Sequence, residues 1–210
     1  MIIRTTIRTT IRTGTATTDP ALRGPGAGQP SGPKDSVGMS VELVQNQGEK
    51  MRILFVCLGN ICRSPSAEGV LRQLADRAGL DVTIDSAGTS DWHIGAPPDR
   101  RAIRAAKLRG YDLAALRGRQ FTAEDFDRFD LILAMDRKNL RAIEALRPAG
   151  NNASAKLFLD LIAQTGSDVP DPYYDDSFER MLDLIEAASA ALVTQIAHKK
   201  ERHPDPDGAP

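Results

Sequence analysis

The chain predicts an α/β fold in which a parallel sheet is covered by helices on both faces. Three observations carry that reading. Short apolar runs of strand length alternate with longer segments of helical period, and such alternation produces parallel strands buried on both sides. One of the runs, Asp130-Leu-Ile-Leu-Ala134, is apolar without alternation, as a central strand of such a sheet must be. Glycine or an acidic cap punctuates the segments at their junctions.

Taken in order, Met51 to Val56 reads as the first strand. Ser64 to Ala78 reads as a helix with Ser64 as N-cap, Pro65 at the first helical position and Gly79 as its stop. Val82 to Ala87 is a second strand, and Asp99 to Arg109 a second helix ended by Gly110. Asp130 to Ala134 is the buried strand, followed by a helix from Asp136 to Arg147 that opens on an acidic cap. Ala155 to Leu159 fits a fourth short strand. Ser177 to Ala197 reads as a long amphipathic helix, with Met181, Leu184, Ile185, Ala188, Leu192 and Ile196 on one stripe. Ligands of such sheets bind at the carboxyl ends of the strands, so the segment after the first strand is where a site is expected.

Composition bounds the function. At 210 residues, 41 % apolar and 26 % charged, the chain has the make-up of one ordinary globular domain with room for an appended segment. A net charge of −1 argues against nucleic acid as a bulk electrostatic partner, and no apolar run is long enough to predict a membrane span. The two cysteines, Cys57 and Cys62, share one loop; that is no secreted disulfide framework, and it points to a reducing, cytoplasmic setting. Residues 1–50 differ from the rest. A repeat of Ile-Arg-Thr-Thr type gives way to a Gly/Pro-rich stretch, and such a segment cannot offset its chain entropy by burial. The expectation is a disordered or dispensable extension, with targeting as the alternative and Met39 and Met51 as further possible starts; residues 201–210 are expected to be a flexible tail.

The chemistry concentrates in Val56-Cys57-Leu58-Gly59-Asn60-Ile61-Cys62-Arg63-Ser64-Pro65. A loop whose N–H groups turn inward before a helix N-terminus makes a site for a tetrahedral oxyanion. A thiol at its floor lies in a positive field that favours thiolate, the nucleophilic form. Arg63 can grip two oxygens bidentately, and a cation at a helix N-terminus opposes the dipole, so an anion is expected beside it. Gly59 and Asn60 tolerate the left-handed backbone that an inward curl requires. Cys57 alone would be read as a buried structural cysteine, and Ser64 alone as a plain N-cap; the spacing to Arg63 makes Cys57 a nucleophile under a bound phosphate. Far along the chain, Asp171-Pro172-Tyr173-Tyr174 follows Pro170. Prolines on both sides stiffen the placement of Asp171, which can act as the acid that protonates a leaving oxygen. Tyr173 and Tyr174 supply an aromatic wall suited to an aromatic substrate; without the cysteine loop the same residues would be an exposed turn.

These two motifs together resemble the low-molecular-weight protein tyrosine phosphatases over about Met51 to Ala197. The similarity includes Asp85-Ser86-Ala87-Gly88-Thr89, Trp92 with Gly95 and Pro98-Asp99, and Arg119-Gln120-Phe121. It implies a three-layer α/β/α domain over residues 51–200, with a four-stranded parallel sheet and a phosphate-binding loop between the first strand and first helix. It also implies the roles: Cys57 forms a phosphocysteine, Arg63 binds phosphate and transition state, and Asp171 is general acid and then base. Leu58, Gly59, Asn60, Ile61, Cys62 and Ser64 belong to the phosphate site, with Ser64 stabilising the departing thiolate. Ser86 supports the loop through Asn60, while Trp92, Tyr173 and Tyr174 line the substrate cleft. No metal or organic cofactor is implied, and no credible zinc set exists among His93, His198 and His203. The expected partner is a phosphotyrosine protein, with a tyrosine kinase as one candidate, and the expected state a monomer or weak homo-oligomer.

One departure is visible. Where family members often carry a histidine before the Arg-Gln pair, this chain has Leu116, which cannot donate the hydrogen bond that braces the loop. The pairing of Cys57 with Cys62 in a reversible disulfide stays open. Rival readings are an arsenate reductase, which needs cysteines outside the loop that this chain lacks, and a phosphoarginine phosphatase, whose relatives tend to carry Thr where Ile61 stands. A dual-specificity phosphatase is disfavoured because Val56, not His, precedes Cys57. A phosphopeptide-binding module or redox sensor is disfavoured because Cys57, Arg63 and Asp171 occur together, and binding alone requires neither thiol nor acid.

Overall fold

The computed structural model describes residues 50–162 and 166–202. The extension expected over residues 1–50 and the tail over 201–210 therefore fall, apart from Lys50 and residues 201–202, outside the described residues. Strands β1 (Met51–Cys57), β2 (Val82–Gly88), β3 (Leu131–Ala134) and β4 (Ser154–Leu157) form one sheet in the order β2-β1-β3-β4, with every pairing parallel. The helices are α1 (Arg63–Arg77), α2 (Arg100–Leu108), α3 (Asp125–Arg128), α4 (Arg137–Ala145) and α5 (Phe178–Arg202), and a 3-10 turn spans Phe158–Leu161.

The period of two along β1 sorts its side chains into two cores. Ile53, Phe55 and Cys57 face α1, α2 and α5, where they meet Val70, Leu71, Ala106, Ile185 and Leu192. Leu54 and Val56 face the opposite layer with Ile132, Phe126, Phe129 and Ile143 of β3, α3, α4 and their connections. Each fully buried Leu, Ile or Phe contributes roughly 1.5–3 kcal/mol by leaving water, which is why β1 reads as an unbroken apolar run. The strand order reverses at β1: α1 leads to β2 on one side, and the chain then crosses back to β3 on the other. A crevice opens at that carboxyl end, and the loop from Cys57 to Arg63 lies in it.

The differences from the sequence reading are local. Helix α1 begins at Arg63 with Cys62 in the cap position, not with Ser64 as N-cap, because the Ser64 hydroxyl is engaged by the loop instead of by the helix end. Strand β4 stops at Leu157, where the backbone tightens into the 3-10 turn, and α5 runs to Arg202, five residues beyond the predicted end. The short α3 carries too few residues to show a helical period and was not expected. The acidic cap of α4 is as predicted, Asp136 accepting from Asn139 N, and Asp99, read as the first residue of α2, is its N-cap and accepts from Arg101 N.

Candidate active site

The loop takes its shape from how its carbonyls are held. The Cys57 carbonyl accepts from Thr89 N, Leu58 O from Ser90 N and its hydroxyl, Ile61 O from Asp99 N, and Cys62 O from Ser66 N and Oγ. A trans peptide points its N–H opposite to its C=O, so the N–H groups of Leu58, Gly59, Cys62 and Arg63 turn to the other, concave side. Asn60 makes the turn with φ of 54°, and its own N–H donates to Cys57 Sγ at 3.2 Å. Gly59, expected to share the left-handed backbone, does not; Asn60 alone carries it. Gly88 of β2 passes directly beneath: a Cβ there would lie 2.9 Å from Leu58 O and 3.1 Å from Asn60 N, so the loop tolerates no side chain at that point.

Behind the loop lies a buried polar bracket. Asn60 Nδ2 donates to Ser64 Oγ and to Ser86 Oγ, both at 2.9 Å, and its Oδ1 accepts from Arg119 N at 2.9 Å. Ser64 Oγ stands 3.0 Å from Cys57 Sγ and 3.2 Å from Ala87 O. Ser86 donates in turn to Glu68 Oε2 at 2.6 Å, and Arg72 closes the chain on Glu68 Oε1. Burial pushes the Glu68 carboxyl upward, against the pull of Ser86 and Arg72. The Arg119 side chain fixes the far end: its Nε donates to Asp85 and its Nη1 to the fully buried Asp125. Leu116 packs against the core beneath α1 and takes no part. Asn60 is held instead by the hydroxyls of Ser64 and Ser86 and by a main-chain N–H. Asn60 and Ser64, placed by sequence in the phosphate site, sit behind the loop, with Asn60 held by Ser86 as the resemblance implied.

Arg63 is 4 % exposed, and a buried guanidinium must be paired. The uncompensated cation expected at the helix start is in fact matched by two carboxylates: Nη1 donates to Asp136 at 2.7 Å and Nη2 to Asp171 at 2.9 Å. Burial disfavours its charge, but Cys57, Asp171 and Asp136 outweigh that and move its pKa upward, so it stays cationic. Asp136 was read from sequence only as a helix cap. Its position immediately after a buried strand, on the same sheet edge as the loop, was the signal that could have marked it. Both cysteines are free thiols. Burial, then Asp99 and the neighbouring Cys57 and Asp171, push Cys62 up to about 12, so it holds its proton at neutral pH.

A cavity of about 220 Å³ opens above Cys57, lined by Leu58, Gly59, Ile61, Cys62, Arg63, Trp92, His93, Asp171, Tyr173 and Tyr174. Residues more than a hundred positions apart are thus brought together, and His93 joins them unannounced by any motif. Tyr173 and Tyr174 meet edge to face at 5.2 Å, and Arg101 stacks 5.4 Å over the Tyr173 ring. Among the described residues no cluster of side chains could hold a metal ion.

A thiol at the floor of an inward-facing loop, an arginine at its end and a carboxylate on the facing wall make a site suited to a phosphate monoester. The comparisons narrow this to a family. The family described as low molecular weight phosphotyrosine protein phosphatase matches residues 52–202, and the chain belongs to that family of phosphoric monoester hydrolases. A Synechocystis sp. protein named for the same phosphatase class is 49 % identical over 152 residues, covering 70 % of this chain and 96 % of that one. The crystal structure of YfkJ from Bacillus subtilis superposes with a TM-score of 0.69 at 38 % identity, covering 74 % of this chain and 99 % of that one. A Drosophila arginine phosphatase superposes at 0.65 with 32 % identity, over 71 % of this chain and 98 % of that one.

Proposed function

We propose that the chain hydrolyses phosphotyrosine in proteins through a covalent cysteinyl phosphate, with Asp171 as general acid. The observation that carries this reading is the meeting of Cys57, Arg63 and Asp171 in one cavity, with Arg63 bound directly to Asp171. An arriving phosphate takes the Arg63 Nη2 donors and the inward N–H groups for its equatorial oxygens, which frees the Asp171 carboxyl to face the bridging oxygen. Cys57 attacks phosphorus, the P–O bond to the ring breaks, and Asp171 gives its proton to the departing phenolic oxygen. Asp171 then takes a proton from water, whose oxygen attacks phosphorus and releases Cys57 with inorganic phosphate. Ser64, 3.0 Å from Cys57 Sγ, is placed to donate to the thiolate as it leaves. Asp136 keeps Arg63 in position at its other nitrogen.

Trp92 and Tyr173 wall the cavity for an aryl ring, and Ile61, which also lines it, favours phosphotyrosine over phosphoarginine. The reaction as written needs no metal or organic cofactor. No helix among the described residues is long and apolar enough to cross a membrane. The reading places the enzyme in the cytoplasm, as a monomer or weak homo-oligomer, acting on a phosphotyrosine protein such as a tyrosine kinase.

The test is steady-state hydrolysis of phosphotyrosine, phosphoserine and phosphoarginine peptides by wild type and Cys57→Ser, with a chelator present. Phosphotyrosine-selective turnover that survives the chelator and disappears in Cys57→Ser is expected. A folded wild type without turnover would return the chain to the binding or redox reading, and selectivity for phosphoarginine would replace the substrate.

A further inference from the structure

Helix α2 carries a row of cations that the catalytic site does not use. At 100° per residue, Ala102, Ala105 and Ala106 form its buried face, and Arg100, Ile103, Arg104 and Lys107 fall on the opposite one. Arg101 and Arg109 leave that row and are neutralised, the first by Asp99 and Asp176, the second by Glu179, Asp183 and Glu186. Arg100, Arg104 and Lys107 form no hydrogen bond or ion pair with another described residue; Arg104 adds only a longer-range attraction to Asp99. Between and beside them lie Ile103 and Leu108, the latter 80 % exposed, and the five residues line one shallow concavity. A solvated helix face would ordinarily mix its signs. Here Arg100 with Arg104, and Arg104 with Lys107, are like charges at i,i+4 and i,i+3 spacing, and Arg100 opposes the helix dipole. Lys107 in the last turn suits the dipole, but the like-charge spacings and Arg100 weaken the helix.

The row also starts at the cleft. Asp99, one residue before it, donates its N–H to the Ile61 carbonyl of the phosphate loop, and Arg101 reaches the Tyr173 carbonyl on the cleft wall. We propose that this face of α2 is a docking strip for an acidic segment of the phosphotyrosine protein, with Ile103 and Leu108 receiving an apolar side chain between the carboxylates. The proposal rests on the phosphotyrosine reading above. From Arg100 to Lys107 the strip is about 10 Å long, at 1.5 Å per helical residue, so it takes about three or four residues of extended peptide.

The experiment compares a neutral phosphotyrosine peptide with peptides carrying a Glu-Leu-Glu-Glu block a few residues to either side of the phosphotyrosine. Each is assayed with wild type and Arg100→Gln/Arg104→Gln/Lys107→Gln, at low and high salt. Expected is a kcat/KM about tenfold higher for one of the acidic peptides, lost in the variant and at high salt, with turnover of para-nitrophenyl phosphate unchanged. Binding of the unphosphorylated acidic peptide and of anionic vesicles is measured in parallel. No acidic preference in either orientation, or a preference that persists in the variant, would overturn the strip. Binding of vesicles in place of the peptide would overturn the assigned partner. Should the neutral phosphotyrosine peptide not be hydrolysed at all, the phosphotyrosine reading falls, and the unphosphorylated peptide still decides the strip by binding wild type and not the variant.

Discussion

Replacing Arg119 with Met is expected to cost about 3 kcal/mol of stability and to loosen the phosphate loop. The first effect follows from burial. Asp125 is fully buried and its Oδ2 accepts from Arg119 Nη1 and from Thr122 N, while the cation nearest its other oxygen, Arg128, stands 3.6 Å away with a largely exposed side chain. Removing one partner of a buried ion pair costs roughly 3–5 kcal/mol, and the lower end applies here because Arg119 is itself partly solvated and Arg128 remains. For a domain of this size that is a fall in Tm of roughly 6–12 °C. The second effect follows from Arg119 N, which holds Asn60 Oδ1. Once the side chain no longer anchors the segment to Asp85 and Asp125, the only left-handed residue of the loop loses the fixed end of its bracket. The assay is thermal unfolding together with kcat for an aryl phosphate, in Arg119→Met, Asp125→Asn and the double variant. The double variant removes the orphaned carboxylate, so it should recover stability relative to the sum of the singles. Activity should stay low, because the anchor is still missing. Additive losses, or an Arg119→Met protein as stable as wild type, would refute the argument.

Asp171→Asn should lower kcat by about 10²–10⁴-fold for an aryl phosphate with a poor leaving group, and far less for one that needs no protonation. Equal losses on both would remove Asp171 from the acid role. Glu68 has a folded-state pKa raised by burial, so its folded form holds the proton more tightly than its unfolded form. The stability it contributes is present below its ordinary value of 4.5 and lost as pH rises through the folded pKa. Wild type should therefore lose ground to Glu68→Gln in denaturant midpoints as pH rises above 4.5; a constant gap would contradict the shift. Cys62, pushed up to about 12, should resist iodoacetamide at pH 7 while Cys57 is alkylated, as read by peptide mass spectrometry. Labelling of Cys62 first would refute the upward shift.

The sheet, its buried central strand and most helix boundaries were legible along the chain because they depend on local period and caps, which residues declare within a few positions. The loop from Cys57 to Arg63 was legible for the same reason: strand, turn and helix start are contiguous. Asp171 was visible as a stiffened acid, but its partnership with Arg63 was not, since their proximity depends on how β1 and the segment before α5 meet at one sheet edge. The same limit hid Asp136, which looks like an ordinary cap until β3 is placed beside β1, and it made Ser64 an N-cap, although its place beside Cys57 is consistent with the thiolate role that the resemblance implied. Local sequence offers a hydroxyl only the helix end. Folded, the same atom lies between Cys57, Asn60 and Ala87, and buried donors and acceptors must be satisfied by whatever the packing brings near. Element type and the loop that carries the proposed nucleophile were therefore properties of neighbouring residues. The charge pairing of Arg63, the bracket behind Asn60 and the unpaired row on α2 were decided by tertiary contact alone, because each joins or separates side chains whose distance the linear order does not encode.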